Sequence, residues 1–518
     1  MSVHWPSVGS GPADEYDVAV PSTAYSDSTQ PLVTDGPVLA LARLMPFPPV
    51  ISFVTVAAAP GVGASVALVA DEGGVDGDDG DDGDDGDDGG AEDFGLDPDE
   101  HAARTRMSTA RLTTTRCLIG AVWLASGRSD NALEPIGASR RVRPVSIECD
   151  PFLRDHLDDP YPFYARLRDR PEDFVAVPER GVVLAARHDV ARMVLRHHHT
   201  YLSGLGVQWI PVAEAGLRAT FIENDPPAHT RVRRAVQRWC TPRAVAQLDA
   251  VVGDVVSELV DRFIATGGGD VMAEIARPLP LRVMGAWLGI DLPDTATTWA
   301  DASFRMGAPD PPADASEQFA GFLDWALGEG FATVRPDGMA AAILAGGDHG
   351  GLHDDERFVA LASIIIAGLD TTVHLIGNGV AALAANRDQF ESLVDDPGGR
   401  AAGTVEEVLR FDAPVRFFLR RTETGPTVVV LYGSANRDER AFDDPNRFLI
   451  DRDASEHLAF GSGIHLCLGA PLARLEGTTL FRTLAERTAS IELLPGSART
   501  DSAAIRGFAT LPVRVRLR

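Results

Sequence analysis

The 518-residue chain contains no lysine, so all 47 of its basic residues are arginine. Against them stand 75 acidic residues, which set the formal charge at −28. That balance excludes the clustered positive surface by which a protein holds nucleic-acid phosphates. Cysteine is scarce too. Cys117, Cys149, Cys240 and Cys467 stand far apart with no CxxC pair, which excludes a disulfide framework and a structural zinc site and fits a reducing cytoplasm. No phosphate-binding loop, dinucleotide fingerprint or GxSxG elbow is present. Nucleotide-binding and serine-hydrolase functions therefore have no foothold.

What is there divides unevenly. From Asp71 to Glu100 there are 16 acidic and no basic residues, and removing them leaves −12 on the remainder. The run GDDGDDGDDGDDGG within this stretch repels itself and has nothing to bury. It also lacks the apolar positions that would let calcium-binding repeats stack. Ahead of it, residues 46–70 are uncharged and long enough to cross a bilayer. Pro46, Pro48, Pro49, Pro60, Gly61 and Gly63 interrupt that segment, so no membrane anchor is expected. Residues 1–140 read as a disordered extension carrying the acidic run 71–100, and residues 141–518 as the working domain.

Within the working domain, helical patterns dominate over Arg231–Arg238, Val245–Ile264, Phe358–Ala385 and Thr404–Phe411. Short strands are expected on either side of a turn in FVAVPERGVVLAARH. The fold class is mainly α with a small β portion. Three local patterns carry chemistry. In HLAFGSGIHLCLGAPLARLE, Cys467 lies among Gly461, Gly463 and Gly469, just ahead of a helix that Pro471 helps to start. A thiolate there gains from free N–H groups and the positive end of the helix dipole, so it is a metal ligand or a nucleophile. In EEVLR, Glu407 and Arg410 share a helical face. In IIIAGLDTTVHLIG, Asp370 is a charge inside an almost wholly apolar helix, which is costly unless it has a partner or a task. Thr371 and Thr372 can bond back to preceding carbonyls and loosen the helix.

Together these patterns resemble cytochrome P450 over roughly residues 144–518. FGSGIHLCLG is similar to the haem-ligand loop, EEVLR to the Glu-x-x-Arg pair, AGLDTT to the oxygen-activating helix motif and HTRVR to a haem-contacting motif. The resemblance implies haem b with Cys467 as axial thiolate and Phe460 beside it. It implies His229, Arg233, Arg420 and His465 at the haem propionates, and a structural triad of Glu407, Arg410 and Arg447. Asp370 and Thr371 would deliver protons for oxygen activation. O₂ would be a co-substrate, and a ferredoxin with its reductase the electron source, in the cytoplasm. The sequence looks most like the subfamily that hydroxylates or O-demethylates para-substituted benzoic acids. Ser363 would then help bind the substrate, in a pocket walled by Phe417, Phe418, Phe304 and Trp209. A neutral terpenoid-like substrate and an impaired, non-catalytic haem-thiolate protein are the alternatives. The second arises because residues 421–433 replace about two dozen family residues that form a strand and hairpin.

Overall fold

The computed structural model describes residues 150–209 and 221–518. The expected 1–140 extension, with its acidic run, lies outside the described residues, as do segment 46–70, Cys117 and Cys149. Asp159 accepts the Tyr161 N–H and opens α1 (Tyr161–Arg168). The apolar alternation that follows gives β1 (Val175–Val177) and β2 (Val182–Ala185), antiparallel across a turn that Gly181 closes at φ 64°. Next come α2 (His188–Arg196), α3 (Ala228–Val236), α4 (Asp249–Ala265), β3 (Gly268–Asp270) and α5 (Ala296–Met306). The 32-residue α6 (Asp354–Ala385) leads into α7 (Pro397–Phe411), β4 (Phe417–Arg420) and β5 (Thr427–Leu431). The chain ends through α8 (Ala470–Arg487), β6 (Thr488–Leu493) and β7 (Pro512–Leu517).

Helix α6 is long and apolar enough to cross a membrane, yet most of its apolar window is buried inside the protein. It begins four residues before the apolar periodicity does, because Asp354, Asp355 and Glu356 occupy the first turn, where the helix dipole favours negative charge. The Glu356 carboxylate also accepts the His353 N–H at 2.9 Å. Close crossings on α6 and α8 use small residues. A Cβ at Gly379 would lie 2.2 Å from the Phe481 ring, and one at Gly477 would lie 2.9 Å from Val405.

One sheet has the order β1-β2-β5-β4 and another the order β3-β7-β6. In the first, β4 and β5 pair antiparallel with Phe417 opposite Leu431 and Arg420 opposite Val428. The alternation sends Phe417 and Leu419 into one apolar cluster, with Val429 and Leu431, and leaves Phe418 to another with Val428 and Val430. Residues 421–426 close this hairpin, so the shortened interval leaves the strand pairing intact. Its Arg421 donates to the carbonyls of Gly206 and Gln208 at 3.3 and 3.1 Å. Behind α7, Asp412 accepts the Tyr161 hydroxyl at 2.5 Å, pairs with Arg499 at 3.2 Å and also pairs with Arg506. This hub ties α1 and the C-terminal segment to the end of α7.

Candidate active site

Two glycines fold the Cys467 loop by adopting φ values that side chains resist, +73° at Gly461 and +75° at Gly463. A Cβ at Gly463 would also meet the Leu195 carbonyl oxygen at 2.8 Å, so this glycine lets the loop lie on the end of α2. Gly469 is the N-cap of α8, and a Cβ there would point at the Cys467 sulfur from 4.0 Å. The Cys467 N–H donates to the Phe460 carbonyl at 2.8 Å, and the side chain is exposed. The protein walls around it push the thiol up, while N–H groups of Gly469 and Ala470 and the guanidinium groups of Arg233 and Arg474 pull it down. The walls win, so the helix N-terminus alone does not deliver the lowered thiol expected for this position. Cys240 is buried, and desolvation pushes its thiol to about 12.

Around the loop stand groups that suit an anion. His229 and His465 lie with ring centroids 4.4 Å apart, and each has an Nε2 with no partner among the described residues. Burial, then Arg420, His229 and Arg233, press His465 down to about 2. Burial also lowers Arg420 and Arg233 from their usual values. Arg420 donates to the Leu419 carbonyl and Arg233 to that of Leu466, and neither forms an ion pair among the described residues. Burial and the two guanidinium groups hold the neighbouring imidazoles in their neutral form, and a ligand bearing two carboxylates would pair with the former and accept hydrogen bonds from the latter. The haem propionates fit that description.

Phe460 is half-buried beneath Arg474, whose guanidinium carbon is 4.6 Å from the ring centroid. Arg474 is held in turn by Glu406 at 2.7 Å, and His457 meets the same carboxylate at 3.1 Å. Although burial pushes Glu406 up, these two partners hold it at about 2. The expected triad needs one correction. Glu407 and Arg410 are fully buried and paired at 2.7 Å, but the Arg447 side chain is exposed and turned toward Asp444. Arg447 offers Arg410 only its backbone carbonyl. The third guanidinium is that of Arg452, 8% exposed and 3.4 Å from Glu407. The irregular segment between β5 and α8 carries Arg452 inward and Arg447 outward.

On α6, Asp370 is buried, with Oδ1 3.3 Å from Nε2 of His374 and Oδ2 without a partner among the described residues. The Thr371 hydroxyl donates to the Ala367 carbonyl at 2.9 Å, as expected, but α6 runs on unbroken rather than opening. Sequence reasoning missed His374, although a histidine four residues after a buried acid was the available signal. It also missed Glu406, His457 and Arg452.

The expected aromatic pocket is not assembled. Phe417 and Trp209 pack edge-on against Phe152 at 5.0 and 5.1 Å in a buried cluster, because strand alternation turns Phe417 inward. Phe418 meets Tyr432 on the opposite face, and Phe304 is buried on α5. Ser363 is half-buried on α6.

A family model described as Cytochrome P450 matches residues 403–514. The cytochrome P450 monooxygenase PikC of Streptomyces venezuelae is 37% identical over 404 residues, covering 72% of this chain and 95% of that protein. Cytochrome P450 CYP199A2 of Rhodopseudomonas palustris is 32% identical, covering 71% and 93%. The solved structure of cytochrome P450 CYP109Q5 from Chondromyces apiculatus superposes with a TM-score of 0.59 at 29% identity, covering 71% of this chain and 98% of that one. The matches span nearly the whole length of these relatives, and on them the chain belongs to the cytochrome P450 monooxygenases, the enzymes that carry iron in haem b.

Proposed function

We propose that Cys467 would hold the haem iron through its thiolate, that His229, Arg233, Arg420 and His465 would receive its propionates, and that Asp370 and Thr371 supply protons to the reaction. The observation that carries this reading is the gathering of two guanidinium groups without ion pairs and two imidazoles with open Nε2 atoms, among the described residues, around one exposed thiol. When bound, the haem supplies oxygen activation at iron, with thiolate donation favouring O–O cleavage. The Gly469 and Ala470 N–H groups temper the charge on sulfur. Asp370 takes protons from the cleft it lines, and the Thr371 hydroxyl passes them on by exchanging its bond to the Ala367 carbonyl. The net reaction consumes substrate, O₂, two electrons and two protons and yields hydroxylated product and water.

The substrate in this reading is a small hydrophobic, aromatic molecule that is hydroxylated or O-demethylated. Ser363 would donate a hydrogen bond to its carboxylate. A neutral hydrophobic substrate is the second reading. It is favoured by the engagement of Phe417 and Trp209 with Phe152 and by the buried Ala362, rather than a cation, next to Ser363. A ferredoxin and its reductase would supply electrons in the cytoplasm. Exposed Arg234 and Arg238, close in sequence to Arg233, offer an acidic carrier a docking charge.

The test is spectroscopic. Cys467→Ser should lose the red-shifted Soret band of the reduced carbon monoxide complex, and a variant that keeps it would refute the ligand assignment. Thr371→Ala should keep its haem while a larger share of the electrons is lost to peroxide. Spin-state titration with a para-substituted benzoate and its methyl ester separates the substrate readings. Selective weakening of the acid by roughly 10-fold in Ser363→Ala, the scale of one hydrogen bond to a charge, supports the aromatic acid.

A further inference from the structure

Behind the proton-delivering face of α6 lies a cavity of about 240 Å³, lined by Asp301 and Arg305 of α5, by Asp370 and His374 of α6, and by Arg277. Three of its side chains present one ligand atom each, all within 4.8 Å of one another: Asp301, Asp370 and His374. We propose that these three bind a divalent transition-metal cation of the zinc class.

Four observations carry the proposal. Asp370 and His374 are each 3% exposed, so what their polar atoms meet is whatever this cavity holds. Their contact of 3.3 Å is longer than a good N–H···O bond, and it matches the edge of a tetrahedron built on zinc–ligand bonds of about 2.0–2.1 Å. The second oxygen of Asp370 has no partner among the described residues, which is expensive for a buried carboxylate unless something else meets it. Asp301 keeps its Oδ2 on Arg305 at 2.7 Å, leaving Oδ1 for another ligand. The Asp301 and Asp370 carboxylates each bring an oxygen within 4.8 Å of the other, and a cation between two like charges that close removes their repulsion.

The nearby cations do not fill this place. Arg305 is spread over Asp301, Asp314 and Gln318, and Arg277 donates to the Ala509 carbonyl at 2.8 Å. One imidazole and two carboxylates form a three-ligand set that leaves a position for water, as open zinc sites do. The consequence for turnover rests on the proton-delivery role proposed for Asp370. A metal held there occupies the carboxylate, so the site acts as an inhibitory switch on the proton supply.

Calorimetric titration of the haem-loaded full chain with zinc chloride tests the site without turnover. The wild type should bind one zinc ion that Asp301→Asn and His374→Gln each bind at least ~10-fold more weakly, since even partners outside the ligand shell change metal affinity by that much. Both variants are first checked for an unchanged Soret band, and the half-exposed position of Asp301 makes its variant the safer of the two. Isotherms of both variants that superimpose on the wild type's would overturn the site, the zinc then belonging to the acidic run or to His197–His199. A second arm measures electron coupling with and without zinc. Zinc should uncouple the wild type and spare Asp301→Asn. Site-specific binding with no change in coupling would overturn the switch, and the relay role of Asp370 with it, while the metal site would stand.

Discussion

On α8 the carboxyl of Glu476 is 1% exposed, its Oε2 has no partner among the described residues, and desolvation pushes it from 4.5 to about 8. The unfolded chain gives up this proton near 4.5 and the folded one near 8. Between those values the native state binds more protons, and stability falls as pH rises, by up to about 1.4 kcal/mol per pH unit. Glu476→Gln removes the slope. Urea unfolding should find the variant close to wild type near pH 5 and more stable by several kcal/mol at pH 8.5. A constant offset across that range would show that the carboxyl is already ionised in the fold. At this scale the sequence was informative wherever chemistry restricts the residue type. Cys467 and Asp370 stood out because a thiol among glycines and an acid in an apolar run both need explaining. Arg452 did not, because two arginines five residues apart are equivalent until a turn sends one inward.

Glycine means different things on different helices. An exposed helix interior gains about 1 kcal/mol when glycine becomes alanine. A methyl group added at Gly253 on α4 would meet nothing within 4 Å, whereas one at Gly379 on α6 would meet the fully buried Phe481 ring at 2.2 Å. Propensity decides at the first site. At the second, overpacking costs about 1–3 kcal/mol and exceeds the gain. Gly253→Ala should therefore raise the urea midpoint and Gly379→Ala lower it; two shifts of the same sign would contradict the close crossing. The strands β1 and β2 and the turn between them were readable from their apolar alternation. The start of α7 was not, since Gly398 and Gly399 argue against a helix that Asp396 nevertheless caps and Pro397 opens. The aromatic pocket failed at the same level: composition gives four rings, but only strand alternation says which way Phe417 faces.

For the whole molecule the acid limit is set elsewhere. Burial opposes ionisation of Asp412, but Arg506, Arg499 and Tyr161 hold it at about 2, against 3.8 when unfolded. Glu406 falls likewise from 4.5 to about 2. A carboxylate depressed in the fold contributes stability above its unfolded value and loses it as pH falls through the folded one. Stability should thus climb from pH 2 to about 4.5, then decline toward 8 along the Glu476 slope. Asp412→Asn should flatten the acid limb and cost about 3–5 kcal/mol at pH 5, since it leaves buried guanidinium groups unmatched. An unchanged limb would mean that the hub does not govern acid unfolding. The turn at 421–426 bears on how such a molecule can change. Strand β5 is held on its other edge by β2, with Val182 opposite Thr427 and Ala185 opposite Val430, and Arg421 is bridged to Leu202. Register is therefore fixed from outside the turn, and the turn itself is an interchangeable cartridge. A hairpin transplanted between Glu423 and Gly425 would enter without re-indexing either strand, so the length of this turn can change while the sheet around it stays as it is.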